Sequence, residues 1–419
     1  MGQKRERMDE IKSVVDFRRS NLLRNSSANG SSLESYQELN IPLSSQAPDL
    51  ICLSHLRWDF VYQRPQHLMS RFARERRVFF IEEPIFDSKV PKLDVSVRSG
   101  GVTVVVPHLP QGLSEKEYRA LQQSLLLDEL FLEHEINNYV CWYYTPMALA
   151  FTQYLEPMAT IYDCMDELSA FKNAPRELRQ FEAELFERAD VVFTGGYTLY
   201  KAKAALHSNV HPFPSSIDQA HFSKARKRAN DPDDQCNIAR PRLGYCGVID
   251  ERMNPDLIAG IAEMRPDWQI VMIGPVVKID PADLPKRDNI HYLGGKHYQE
   301  LPTYFSGWDV ALLPFALNES TRYISPTKTP EYLAAGIPAI STSINDVIHP
   351  YGQQGLVRIA DTPAEFVEAA EYYMSSSFDC DAWLKKVDEM LANDSWDRTW
   401  KRMSNLLDMA VRRNFPSPV

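Results

Sequence analysis

The sequence predicts an α/β protein built of two parallel-sheet units in tandem, and three observations carry that reading. Short, almost wholly apolar runs alternate with helix-length amphipathic segments, first from Leu50 to about residue 207 and again from Arg242 to about residue 361. The stretch between them, Asn230 to Arg242, is polar, twice broken by proline and without periodicity, which is the character of an interdomain linker. Length agrees, since 419 residues at roughly 150 per domain make two to three domains.

Taken in order, the first set runs LICLS, a helix over 65–76, VFFIE, VTVVV, a helix over 115–134, YVCWYY, TIYDC, a helix over 174–189, DVVFT and a helix over 196–207. Runs with no polar position read as strands buried on both faces, which is the pattern of a parallel sheet covered by helices. Pro65 suits the first position of its helix. Gly195-Gly196 after DVVFT reads as a strand-to-helix turn, because a glycine pair without the spaced GxGxxG pattern points to backbone geometry rather than to a dinucleotide. The second set runs RLGYCG, a helix over 255–264, WQIVMIG, NIHYLG, a helix over 298–306, DVALLPF, a helix over 327–335, IPAIST and LVRIAD. Helices over 363–376 and about 380–412 end the chain, the last amphipathic with a basic end suited to a helix C-terminus. The expected division is a tail over 1–46, a first Rossmann-like domain over 47–229, a linker over 230–241, a second Rossmann-like domain over 242–393 and C-terminal helix over 394–419.

Composition narrows the function classes. Hydrophobic residues at 44% and charged residues at 24% describe a soluble globular chain and exclude global disorder or a multi-span membrane protein. Forty-six Lys and Arg against 56 Asp and Glu give a net charge of −10, which argues against nucleic acid as a partner held by bulk positive charge. Six scattered cysteines form no CxxC pair, so neither zinc nor a disulfide framework is expected and a cytoplasmic, reduced chain is. No apolar core follows the charged N-terminus as in a signal peptide. Residues 136–155 carry no charge, but Asn137, Asn138, Thr145, Pro146, Thr152 and Gln153 interrupt them, so strand, turn and helix is expected there rather than a membrane span. The first 24 residues hold seven Lys or Arg against four acids, which leaves open a solvated tail or a peripheral contact with an anionic membrane.

Ligands of open parallel sheets bind at the carboxyl ends of the strands, so the chemistry is sought just after strands. The segment SPTKTPEYLAAGIPAIS opens with Ser325 as a helix N-cap and Pro326 at the first helical position, with Thr327 and Lys328 following. A capping box would place Glu or Gln where Lys328 stands, and a lysine there is opposed by the helix dipole unless an anion is nearby. Free amides with a lysine suit a phosphate, and Glu331 offers paired acceptors to a ribose diol. The alternative is a Lys328–Glu331 pair at i, i+3 spacing.

This segment, with GYCGVIDERMNPDLI before it and NIHYLGGKHYQELPTYFSGWDVALLPF between, resembles the donor half of group 1 glycosyltransferases of the GT-B fold. DLICLSHLRWDFVYQRPQHLMSRFA and TIYDCMDELSAF resemble a bacterial subgroup of the teichuronic-acid and capsular-polysaccharide kind. The resemblance implies two Rossmann-like domains facing a cleft and transfer of a sugar from a nucleotide-sugar, UDP-linked, to a saccharide or lipid-linked acceptor. It implies that the loop holding Gly247, Asp250, Glu251 and Arg252 faces the donor diphosphate, with Arg252 gripping phosphate oxygens. It also implies a base near Ile273-Gly274 and His291–Leu293, and a ribose on Glu331. Many relatives place a second glutamate eight positions earlier; here that position is Tyr323, and Glu319 is out of register.

In the first half, His55 and Arg57 follow the strand LICLS, and Arg64 opens the next helix; these are candidates for acceptor or donor phosphates, with His55 also a catalytic candidate although a lone histidine after a strand is more often a structural hydrogen-bonder. Asp163 and Asp166 flank the end of TIYDC, where one could act as general base for an acceptor hydroxyl, and resemblance to an inverting polysaccharide enzyme favours Asp166. Helix capping is the other reading of both. No DxD pair with an obvious metal role and no Asp/His cluster is present, so diphosphate neutralisation by Lys328, Arg252 and helix amides is expected, with no metal and no cofactor beyond the nucleotide-sugar substrate. Two other classes stay open: a catalytically inactive sugar-nucleotide-binding partner, which the Tyr323 departure motivates, and a phosphorylase or epimerase of the same fold.

Overall fold

The computed structural model describes residues 47–227 and 229–416; the expected N-terminal tail lies outside the described residues, apart from its boundary. The chain divides into two compact units. One takes in the described residues up to Phe60, Met69–Thr160 and the residues from Val411 on, the other Val61–Leu68 and Ile161–Ala410.

In the first unit five strands lie in the order β3-β4-β2-β1-β5: β1 (Asp49–Ser54), β2 (Val78–Glu82), β3 (Lys92–Val97), β4 (Val102–His108) and β5 (Tyr139–Tyr143). β1, β2, β4 and β5 run parallel in register, with Leu50 opposite Val78 and Val140. β3 was not anticipated and pairs antiparallel with β4. Its sequence KLDVSV alternates, its side chains are all exposed or half-buried, and Gly100 and Gly101 at φ +87° and +80° make the turn into β4. An edge strand of this kind lacks the continuous apolar run that marks its neighbours. Residues 136–155 form β5, a short 3-10 turn and one turn of helix. No helix among the described residues is long and apolar enough to cross a membrane.

The second unit holds three parallel strands, β6 (Thr160–Cys164, entering from the boundary residue), β7 (Val191–Thr194) and β8 (Val210–Pro212). β8 was also not anticipated. A six-stranded parallel sheet follows in the order β11-β10-β9-β12-β13-β14: β9 (Arg242–Cys246), β10 (Gln269–Ile273), β11 (Ile290–Gly294), β12 (Val310–Leu313), β13 (Ala339–Ser341) and β14 (Val357–Ile359). Alternation along each strand fills two cores. Cys246, Val271, Ile273, Ala311 and Leu313 face one side with Tyr332, Phe305 and Trp383. Leu243, Ile270, Met272, Val310 and Leu312 face the other with Ile258, Ile261 and Phe366. Burial on both faces is why these strands read as unbroken apolar runs. The helices Pro363–Met374, Cys380–Leu391 and Trp396–Asn414 end the chain, the expected long last helix being two.

Gly244 in β9 lies directly under the Trp308 ring, where a Cβ would stand 2.0 Å from a ring carbon. Since both residues are buried in close packing, Gly244→Ala should cost about 1–3 kcal/mol, read as a lowered denaturant midpoint.

Candidate functional site

One cavity within the second unit gathers seven of the expected residues: Arg64, Asp166, Gly247, Arg252, Ser325, Thr327 and Lys328 all line it. Counting its open mouth it encloses about 920 Å³. Its floor is set by strand ends. β9 ends at Cys246, whose N–H donates to the Tyr332 hydroxyl at 2.7 Å, and Tyr332 is fully buried in the helix Lys328–Ala334. That bond fixes the start of the helix beside the Gly247 loop. Gly247 donates its N–H to Ile273 at 2.9 Å. Gly274 has φ +149°, and a Cβ there would stand 1.8 Å from the Gly247 carbonyl oxygen, so the expected base segment needs glycine to close on the phosphate-facing loop.

The helix begins two residues later than the Ser325 cap would place it. Thr327, not Ser325, precedes it, no side chain caps it, and Lys328 is its first residue. Ser325 lines the cavity instead. The Lys328 Nζ meets Glu331 Oε2 at 2.5 Å, and the pair is largely buried. The reading of Glu331 as a ribose acceptor therefore meets a competing partner: Lys328 already holds one of its oxygens, and Glu331 is not among the lining residues. Burial alone would lower the Lys328 value, but the carboxylate beside it wins and holds the ammonium above its ordinary range. One of three ammonium donors is used, leaving two for an anion.

Arg252 is held as a fork by Asp250, Nε to Oδ1 at 3.0 Å and Nη2 to Oδ2 at 2.6 Å. Its guanidinium carbon stands 5.4 Å from the Phe171 ring centre, and Lys278 approaches the same ring at 5.3 Å. Nη1 makes no hydrogen bond among the described residues, so one edge of an oriented, permanently charged group remains for a ligand.

The two aspartates after β6 part company. Asp163 is 0% exposed and Arg64 2%; Arg64 donates Nε to Asp163 Oδ2 at 3.0 Å and Nη2 to Oδ1 at 2.8 Å, and Nη1 to the Phe213 carbonyl at 2.6 Å. Asp163 is thus held in a buried bidentate pair, and Arg64 lines the cavity while that pair engages its Nε and Nη2. Asp166, by contrast, is half-buried, lines the cavity, and its carboxylate makes no hydrogen bond among the described residues. Burial pushes its carboxyl above the ordinary aspartate value, against the opposing pull of Arg252. The loop carrying it is tied down by Glu167 to Lys203 at 2.7 Å and by the Lys172 N–H to Glu251 at 2.8 Å. Gly195 allows the approach, since a Cβ there would stand 2.1 Å from the Met165 carbonyl oxygen.

If Asp166 takes a proton, activity should fall with acid at a pH above the ordinary aspartate range. Lys278 lowers the Asp166 value, so Lys278→Ala should move the acid limb of a kcat/KM profile further up; an unmoved limb would assign that limb to another group.

His55 and Arg57 belong to the first unit and are not among the lining residues. Arg57 binds Glu82 Oε2 at 2.9 Å and the Glu83 carbonyl at 2.5 Å, bridging the ends of β1 and β2. His55 is half-buried in the same turn. His291 pairs with Gln269 Oε1 at 2.8 Å, and burial lowers its value. Tyr323 is half-buried beside Arg322. Sequence reasoning did not single out Ser215, which lines the cavity, or Phe171 and Lys278 beside Arg252.

Residues 240–376 match the family described as glycosyl transferases group 1. Over 276 residues, 61% of this chain and 69% of the relative, the chain is 25% identical to a Bacillus subtilis (strain 168) protein named as a teichuronic acid biosynthesis glycosyltransferase, TuaH. A sucrose-phosphate synthase structure from Thermosynechococcus elongatus aligns with a TM-score of 0.64 at 12% identity, covering 87% of this chain and 99% of that one. Anabaena HepE in complex with UDP and glucose aligns at 0.61 and 10% identity, covering 86% and 99%. At such identities the likeness shows the fold, which is GT-B.

Proposed function

We propose that this chain, a group 1 glycosyltransferase of the GT-B fold, moves a sugar from a UDP-linked donor to a saccharide or lipid-linked acceptor in cell-surface polysaccharide synthesis. The observation that carries the reading is the gathering of Arg252, Lys328, Gly247 and Asp166 around one cavity. The likeness to TuaH, named for teichuronic acid biosynthesis, supports the pathway, and a structural neighbour solved with UDP supports the nucleotide.

Arg252 Nη1 and the two remaining donors of Lys328 take the diphosphate. Their charge matters most as the nucleoside diphosphate leaves, because negative charge grows on the bridging oxygen as the glycosidic bond breaks. Close approach of the phosphates is open at Gly247, where no side chain intervenes. Asp166 lines the same cavity as the group that accepts the acceptor hydroxyl's proton while that oxygen attacks. Asp163, through Arg64, positions the loop from which Asp166 projects. In this reading no metal is needed for charge neutralisation.

Lys328→Ala should weaken UDP binding and slow turnover together, since the ammonium acts on bound nucleotide and more strongly on departing nucleotide. UDP release from a panel of UDP-sugars, with and without acceptor extracts, tests both the variant and the function. Wild-type kinetics in the variant would remove Lys328 from the donor site. A second reading rests on Tyr323, which stands where many relatives carry glutamate: a catalytically inactive partner would bind UDP and release none from any donor.

A further inference from the structure

A second cavity in the same unit adjoins the first and is not used by the chemistry above. Ser215, Ser325 and Pro326 line both. It encloses about 960 Å³ with its mouth. Its walls are of two kinds. Pro214, Pro326, Pro330 and Pro350 supply rigid apolar surface, and Ser215, Ser216, Ser325, Tyr197 and Tyr351 supply hydroxyl-bearing side chains.

Ser216 is the informative one. It is 6% exposed, and its hydroxyl is buried with no hydrogen-bond partner among the described residues. A buried hydroxyl left unmet costs free energy that a ligand hydroxyl would restore. The charged groups do not ask for a counter-ion inside. Asp346 is engaged by the N–H groups of Tyr197 at 2.8 Å and Thr198 at 3.0 Å and by the Thr198 hydroxyl at 2.5 Å. Arg402 is exposed and lies 4.9 Å from the Phe213 ring centre, with Asp394 and His349 also exposed.

An interior of hydroxyls and proline rings, with Asp346 engaged and the other charged residues exposed, matches a sugar. The C–H faces of a pyranose pack on apolar rings, and its hydroxyls both donate and accept. The geometry points to a saccharide-binding subsite here, taking a sugar unit of the acceptor beside the donor cavity. Its place in transfer rests on the reading of the neighbouring cavity as the donor site; its binding of sugar does not.

Saturation-transfer NMR on the full chain tests it, with methyl α-glucoside, methyl N-acetyl-β-glucosaminide and glucuronate as probes. At least one probe should take up saturation and keep it when UDP is added. Ser216→Val, which removes the hydroxyl, and Thr399→Trp, which fills the cavity from its half-buried wall, should each reduce the signal several-fold. Both variants should still be stabilised by UDP, which shows that they are folded. No transfer to any of the three probes, a signal unchanged in both variants, or one abolished by UDP would overturn the subsite. A sugar signal in a wild-type protein that UDP does not stabilise would leave the subsite standing and remove the donor reading instead.

Discussion

Asparagine in place of Asp166 should slow transfer by about 10²-fold or more, with UDP affinity close to that of wild type. The carboxylate makes no hydrogen bond among the described residues, so the swap keeps shape and disturbs no internal pair; what it removes is a proton acceptor. The effect should therefore fall on kcat in a UDP-release assay, and the acid limb of the pH profile should disappear with it. A variant at wild-type rate would take the base role from Asp166. Asp163 could not inherit it, because both its oxygens face Arg64, and transfer would then be of the kind that proceeds without a protein base.

Asp163→Ala should destabilise the second unit by about 3–5 kcal/mol. The loss is less the attraction of the pair than what stays behind, a guanidinium 2% exposed without its carboxylate. Arg64→Met combined with Asp163→Leu should recover much of the stability, because two apolar side chains leave no buried charge. Guanidinium denaturation midpoints of the single and double variants check this. Equal loss in both would mean that packing, not the uncompensated charge, is what Asp163 contributes.

The fold was legible because both faces of most strands are buried. Runs such as IVMI within β10 and VALL in β12 carry no polar position and read as strands without help from their partners. β3 was missed for the opposite reason, since its exposed edge lets Lys92, Asp94 and Ser96 break the run. The gathering of Arg252, Asp166 and Lys328 at one cavity was legible from residue type and from a place in the segments that follow β9, β6 and β12. The site was not legible where a role depends on a partner far along the chain. Nothing local to TIYDCMD distinguishes Asp163 from Asp166; the difference is Arg64, 99 positions away. Arg57 is likewise decided by Glu82, 25 positions away.

The most direct test of the donor site is a thermal-shift titration of the full chain with UDP, GDP and ADP, repeated on Lys328→Met. A ligand that binds only the folded state raises the midpoint with its concentration. The expected result is stabilisation by UDP in excess of the other two, strongly reduced in the variant while the variant's own transition stays cooperative. No shift with any nucleotide, or an equal shift in wild type and variant, would contradict the assignment of this cavity to a nucleotide-sugar.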